Sequence, residues 1–233
     1  MAGTDQTLRE MYEAMLARLG EQRWWPAQAG ADTAAGKLEI CVGAVLTQNT
    51  NWGNVERAIE NLRAAGALGV AAIDAMGRDE LAELIRPAGY FNVKAKRLKN
   101  FIRAVAAAGG DIEAYLDRPS DELRAALLAV SGVGRETADS MALYAAGRAT
   151  FVVDAYTARI LLRHGLIDED ADYEQIKELF EAALPAEADL FNEYHALLVA
   201  VGKNYCRKRG PLCDDCPLAA FDHDATAGHL GSV

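Results

Sequence analysis

The sequence predicts an all-α protein, and three observations carry that prediction. Around Gly132-Val133-Gly134, apolar residues stand at helical spacing on both sides of a glycine turn: Leu123, Leu127 and Leu128 before it, Ala138, Met141, Ala142 and Ala145 after it. The same spacing recurs far from the turn, for example in Phe191, Tyr194, Leu197, Leu198 and Val201. The periodic stretches are also punctuated by glycine, as at Gly20 and Gly89.

Taken in order, the first helix spans Thr7 to Leu19 and ends at Gly20. Arg23-Trp24-Trp25-Pro26 follows, and Pro26 pushes Trp25 out of the helical region. A loop tryptophan commonly caps a core, but two adjacent indoles can also form a wall on which a displaced base stacks. Lys37 to Thr50 reads as a hydrophobic helix whose polar end is Thr47-Gln48-Asn49-Thr50. A helix over Val55 to Ala65 comes next, and Ile73 to Ala108 reads as two helices broken at Gly89. Ser120 is placed to cap the helix that enters the glycine turn. Past Asp154 the helices are Tyr156 to His164, Tyr173 to Ala183 and Leu190 to Asn204.

Composition narrows the class. With 233 residues, 51% of them apolar, the chain can bury a sizeable core in one domain or two. No apolar run reaches membrane-spanning length, and the N-terminal stretch reads as an amphipathic helix rather than a signal peptide. The expectation is a cytoplasmic, monomeric protein with no membrane partner. A net charge of −10 argues against a nucleic-acid partner if taken as a whole. Its distribution argues the other way, because Lys94 to Lys99 and Cys206 to Gly210 are local basic runs. Either run could equally be a solvated face.

Three features carry chemistry. Gly132-Val133-Gly134 followed by Arg135 presents unpaired helix N-terminal amides, and the glycines remove side chains that would hold a phosphate away. Such a turn grips a backbone without reading sequence. Phe151-Val152-Val153 is a short apolar crossing that ends in Asp154 at the mouth of a helix, where aspartate is a frequent N-cap. Cys206-x6-Cys213-x2-Cys216 places three thiols close together, a strong metal-binding signal, while Cys41 stands alone in a hydrophobic helix.

VSGVGRETAD and FVVDAYTARI resemble the helix-hairpin-helix (HhH-GPD) DNA glycosylases of the endonuclease III superfamily. The WWP and LTQNT motifs and Glu136 are similar to the 3-methyladenine DNA glycosylase III branch. The resemblance implies two helical domains flanking a DNA-binding cleft: a six-helix domain over 37–148, and a second made of 1–36 with 149–233. It implies that Asp154 is catalytic, and that Trp24, Trp25 and Pro26 border the base pocket. Gln48 would fill the gap left by an everted nucleotide. The hairpin (Gly132, Val133, Gly134, Arg135) would hold the DNA backbone, with Lys94 and Lys96 as further phosphate contacts. Bifunctional relatives carry a lyase lysine where this chain has Glu136, so the resemblance implies a monofunctional glycosylase acting on double-stranded DNA with a damaged, 3-methyladenine-like base. The alternatives are a glycosylase with lyase activity on oxidised pyrimidines, and a DNA-binding homologue without catalysis. The family's C-x6-C-x2-C-x5-C pattern holds a 4Fe–4S cluster. Here the fourth position is Asp222, which stands as the expected fourth ligand, with His223 as ligand, an absent cluster and a zinc site as alternatives.

Overall fold

The computed structural model describes residues 2–25, 27–28 and 30–227, and every regular element among them is helical. The chain divides into two compact units, one of Trp25–Arg148 and one built from the described residues before and after that span. The first boundary lies at Trp25 rather than at residue 37, for a packing reason. The Trp25 indole meets the edge of Trp52 at 4.9 Å between ring centres and Tyr144 at 5.3 Å, so it belongs with the helices that follow it.

In the Trp25–Arg148 unit the central element is helix α2 (Ala34–Leu46), in which Ile40, Cys41, Val42, Val45 and Leu46 are all fully buried. A helix apolar all round has no face to give to water and is enclosed by its neighbours. Those neighbours are α3 (Trp52–Ala64), α6 (Phe91–Ala107), α7 (Ile112–Leu116), α9 (Arg135–Ser140) and the π-helical turn Met141–Ala145 that continues α9. The segment from Ile73 carries α4 (Val70–Ala75), α5 (Arg78–Leu84) and a 3-10 turn over Arg86–Ala88 rather than one helix. The break between α4 and α5 falls at extended Met76 and Gly77, and the Lys99 ammonium satisfies the carbonyls of Ile73, Asp74 and Met76 there. The described residues of this unit therefore hold eight helices, α2 to α9, where the resemblance implies six. Helix α8 (Ser120–Leu128) begins one residue inside the expected cap: Pro119 occupies the N-cap, and Ser120 is the first helical residue.

The other unit contains α1, α10, α11 and α12, spanning Ala2–Leu19, Ala155–Arg163, Tyr173–Ala183 and Ala188–Asn204. Its core is aromatic. Phe151 stacks on Phe180 with ring centres 3.7 Å apart, and Phe191 and Tyr194 meet it edge-on. The Tyr194 hydroxyl donates to the Leu8 carbonyl at 2.7 Å and so ties α12 to α1. Burial of the crossing residues Phe151, Val152 and Val153 fixes the chain that delivers Asp154 to the start of α10. No helix among the described residues is long and apolar enough to cross a membrane.

Replacing Phe151 by Ala leaves a cavity between Phe180, Phe191 and Tyr194, and the expected cost is about 3–5 kcal/mol. Urea unfolding of the variant checks this; a loss below about 1 kcal/mol would show that the aromatic stack is not what holds this unit together.

Candidate DNA-repair site

The hairpin is held from behind by side chains that take its carbonyls. Gly132 has φ +99°, in the region that favours glycine, and a Cβ there would lie 2.3 Å from Cγ of Arg97. Asn100 donates to the Ser131 carbonyl at 2.9 Å. Gln48 donates to the Gly132 carbonyl at 3.4 Å and to the Thr137 hydroxyl at 2.8 Å, and Arg97 donates to Gln48 Oε1. Val133 is buried beneath the turn, while Gly134, Arg135 and Glu136 are exposed. With its carbonyls engaged, the turn presents its amide side, the polarity an anion requires. The two hairpin helices are clamped by Arg124, whose Nε and Nη2 donate to the two oxygens of fully buried Asp139 at 2.8 and 3.1 Å.

The residues expected around the hairpin and pocket separate by environment. Lys96 is exposed, as a phosphate contact must be. Lys94 is not: it is only 2% exposed, and its ammonium donates to the Leu46 and Ala88 carbonyls at 2.8 and 2.7 Å. This corrects the expectation of a backbone contact, because Lys94 ties α6 to the end of α2 and to the 3-10 turn. Gln48 is bound to the hairpin through its amide nitrogen and to Arg97 of α6 through its amide oxygen. Trp25 lies half-buried over Gly43, where a Cβ would come within 2.7 Å of the indole ring, and shares an aromatic cluster with Trp52 and Tyr144. Trp24, also half-buried, falls in the other unit. Pro26 lies outside the described residues.

Asp154 caps α10. Its Oδ1 accepts from the Tyr156 and Thr157 amides at 2.9 and 2.8 Å, and its side chain remains 13% exposed. Its second oxygen, Oδ2, stands 3.8 Å from Nε2 of buried His195. Burial pushes the His195 imidazole below its ordinary pKa, with Asp154 pulling the other way. No role for His195 is legible in sequence, since a helix-interior histidine shows no partner until the fold supplies one.

The same helix holds the cysteine segment. Arg159 Nε donates to the Cys206 carbonyl at 2.8 Å and Nη2 to the Gly202 carbonyl at 3.1 Å. Arg163 Nη1 donates to Cys206 Sγ at 3.2 Å and to the Arg207 carbonyl at 2.8 Å. Arg163, His164, Cys206, Cys213, Cys216 and His223 line one small cavity. Burial raises the Cys216 thiol, with Cys206 and Cys213 adding to the rise. Among the described residues, no three His, Cys, Asp or Glu side chains are grouped so as to hold a single metal ion. Asp222 is exposed and meets this region through its backbone, its carbonyl lying 2.9 Å from His164 Nδ1. Arg207, Lys208 and Arg209 are exposed on the same segment.

An all-helical chain with an amide-presenting hairpin and a capped carboxylate after a buried crossing has the make-up of a helix-hairpin-helix DNA glycosylase. Comparison with known proteins gives the family: residues 42–186 match "HhH-GPD superfamily base excision DNA repair protein", and the chain belongs to that superfamily. A Methanocaldococcus jannaschii relative named "Putative DNA repair glycosylase" is 47% identical over 218 residues, covering 93% of this chain and 96% of its own. The H. pylori 3-methyladenine DNA glycosylase MagIII, solved bound to 1,N6-ethenoadenine, superposes with TM-score 0.69 at 27% identity, covering 86% of this chain and 97% of that one. An endonuclease III in a non-covalent DNA complex shares the fold at TM-score 0.76 and 20% identity, covering 95% and 96% of the two chains.

Lys94 makes the local electrostatics testable. Burial, with Arg97 adding to it, lowers its pKa to about 8, against roughly 10.4 in an unfolded chain. Between those values the unfolded chain binds more protons than the folded one, so this group makes stability rise as pH increases from about 8 to about 10. Urea titrations across that range should show the rise in the wild type relative to Lys94→Met; parallel pH profiles would overturn the assignment.

Proposed function

We propose that this protein is a monofunctional DNA glycosylase that removes an alkylated, 3-methyladenine-like base from double-stranded DNA. The reading rests on two residues taken each by itself: a capped, partly exposed Asp154, and an exposed Glu136 at the position where bifunctional relatives carry lysine. The reaction needs the target nucleotide out of the stack, since its glycosidic bond cannot be reached within a duplex. As that bond breaks, positive charge develops on the sugar. A carboxylate fixed by two backbone amides stabilises this charge without having to reorganise. The hairpin amides and Arg135 hold backbone phosphate, with Lys96 as a further contact. Gln48, braced by Thr137 and Arg97, stands at the hairpin as the group that enters the gap in the duplex.

The substrate class follows from the leaving group. A cationic alkylated purine departs readily and needs little acid catalysis, and a cationic base is attracted to the face of an indole. Trp25, supported by Trp52 and Tyr144, supplies such a surface, and Trp24 and Pro26 complete the motif in sequence. The likeness to MagIII, a 3-methyladenine DNA glycosylase solved bound to 1,N6-ethenoadenine, supports this class over oxidised pyrimidines. Glu136 cannot form the imine that a lysine forms with an opened sugar, so the product is an intact abasic strand.

The cysteine segment fits a 4Fe–4S cluster by the chemistry of its donors, three thiols and imidazole on one cavity. Cys206, Cys213 and Cys216 would hold it. When bound, it supplies a structural crosslink rather than a reacting group, and it fixes the segment that carries Arg207, Lys208 and Arg209 for phosphate contact.

Two measurements test the reading. On duplexes carrying 3-methyladenine or ethenoadenine, strand cleavage should appear only after alkali, and borohydride should trap no covalent adduct; an adduct would overturn the role given to Glu136. Asp154→Asn keeps an oxygen to cap α10, so it should bind DNA as the wild type does while base release falls about 10²–10³-fold. Unchanged release would remove Asp154 from the chemistry.

A further inference from the structure

We propose that the fourth ligand of the cysteine-held cluster is His223, bound through Nε2, and not Asp222. The inference rests on the cluster reading above and adds the identity of its non-thiolate donor. His223 lines the cavity with the three thiols. Its Nδ1–H donates to the Phe221 carbonyl at 2.9 Å, which leaves the lone pair on Nε2. A metal-bound histidine is held in this way, with its other ring nitrogen anchored on a carbonyl that fixes tautomer and ring orientation. His164 shows why Asp222 does not serve. The His164 Nδ1–H donates to the Asp222 carbonyl, so residue 222 is fastened by its backbone, and its side chain is not among those lining the cavity. Fastening residue 222 also positions its neighbour: the His164 and His223 rings lie 5.5 Å apart. His164, at the end of α10, is thus the positioning residue and His223 the ligand.

Coordination changes charge but not oxidation state. A neutral nitrogen donates its lone pair to one iron where the four-cysteine pattern has a thiolate, so the bound cluster carries one negative charge fewer. Replacement of thiolate by imidazole raises the reduction potential of iron–sulfur centres.

The experiment uses the full chain, purified anaerobically or reconstituted with iron and sulfide, and assayed for both. Pulsed EPR of the cryoreduced cluster, with and without 15N-histidine, reads nitrogen bound to iron. The expected result is a strong nitrogen coupling that shifts with the label, survives in Asp222→Ala, and disappears in His223→Cys, which retains iron at a lower reduction potential. His223→Cys keeps four donors, so the test does not depend on an alanine variant holding its cluster. Coupling absent from an iron-loaded wild type overturns the inference, as does coupling that survives His223→Cys but is lost in His164→Ala. Cluster loss in Asp222→Ala with retention in His223→Ala also overturns it. Each of these outcomes leaves the cluster reading standing. A chain that takes up no iron, or takes up zinc instead, sinks the cluster reading and this inference with it.

Discussion

Two backbone amides at the start of α10 determine what Asp154 can do. They hold Oδ1 and stop the carboxylate from turning, while Oδ2 stands 3.8 Å from His195 Nε2. The bonds that complete the helix also fix the charge, so a catalytic role proposed for Asp154 needs no arrangement beyond the cap. The arrangement depends on the crossing being delivered at the right height. Phe151 buried in its aromatic stack, and the Phe151 amide held by Glu181 Oε1 at 2.8 Å, set where the chain emerges. Behind the carboxylate, burial pushes the His195 imidazole below its ordinary pKa, with Asp154 pulling the other way.

Helix α10 carries this order further. Its first residue follows Asp154, and Arg159 and Arg163 lie four residues apart on one face and take carbonyls and a thiol of the cysteine segment. Gly202 on α12 lets the Tyr156 ring approach so closely that a Cβ there would lie 2.4 Å from it. The carboxylate and the cysteine segment are therefore fixed to opposite ends of one nine-residue helix. Helix α12 makes a second link, since it carries His195 beside Asp154 and ends two residues before Cys206.

Periodicity and local chemistry made part of this legible. The glycine hairpin, the apolar crossing and the aspartate after it are contiguous in sequence, so their local geometry follows from residue type. What was not legible depends on which distant segment a side chain meets. Lys94 and Lys96 sit in one basic run, yet helical rotation buries the first on two carbonyls and exposes the second. Arg97 gives no hint in sequence that its aliphatic stem packs on Gly132 while its guanidinium reaches Gln48. Trp52 and Tyr144 join Trp25 across about twenty-five and about one hundred and twenty residues of chain, a separation no local pattern encodes. The break at Gly77 lay within a stretch whose helical spacing continued on both sides, and only the carbonyls gathered by Lys99 mark it as an end.

The net charge of −10 looks contrary to a DNA partner, and distance resolves the conflict. At physiological ionic strength a charge is screened over about 8 Å, so acidic residues remote from the strand contribute little to the energy of contact. What remains is the set of groups proposed to reach phosphate: hairpin amides, whose partial charges are fixed in direction, with the exposed Arg135, Lys96, Arg207, Lys208 and Arg209. Amides contribute polarity without adding a mobile cation, and they displace no counterion as a lysine does. A clamp that relies on backbone dipoles can therefore sit on an acidic body. Affinity would then lose less to rising salt than in a protein that holds the same phosphates by lysine and arginine alone.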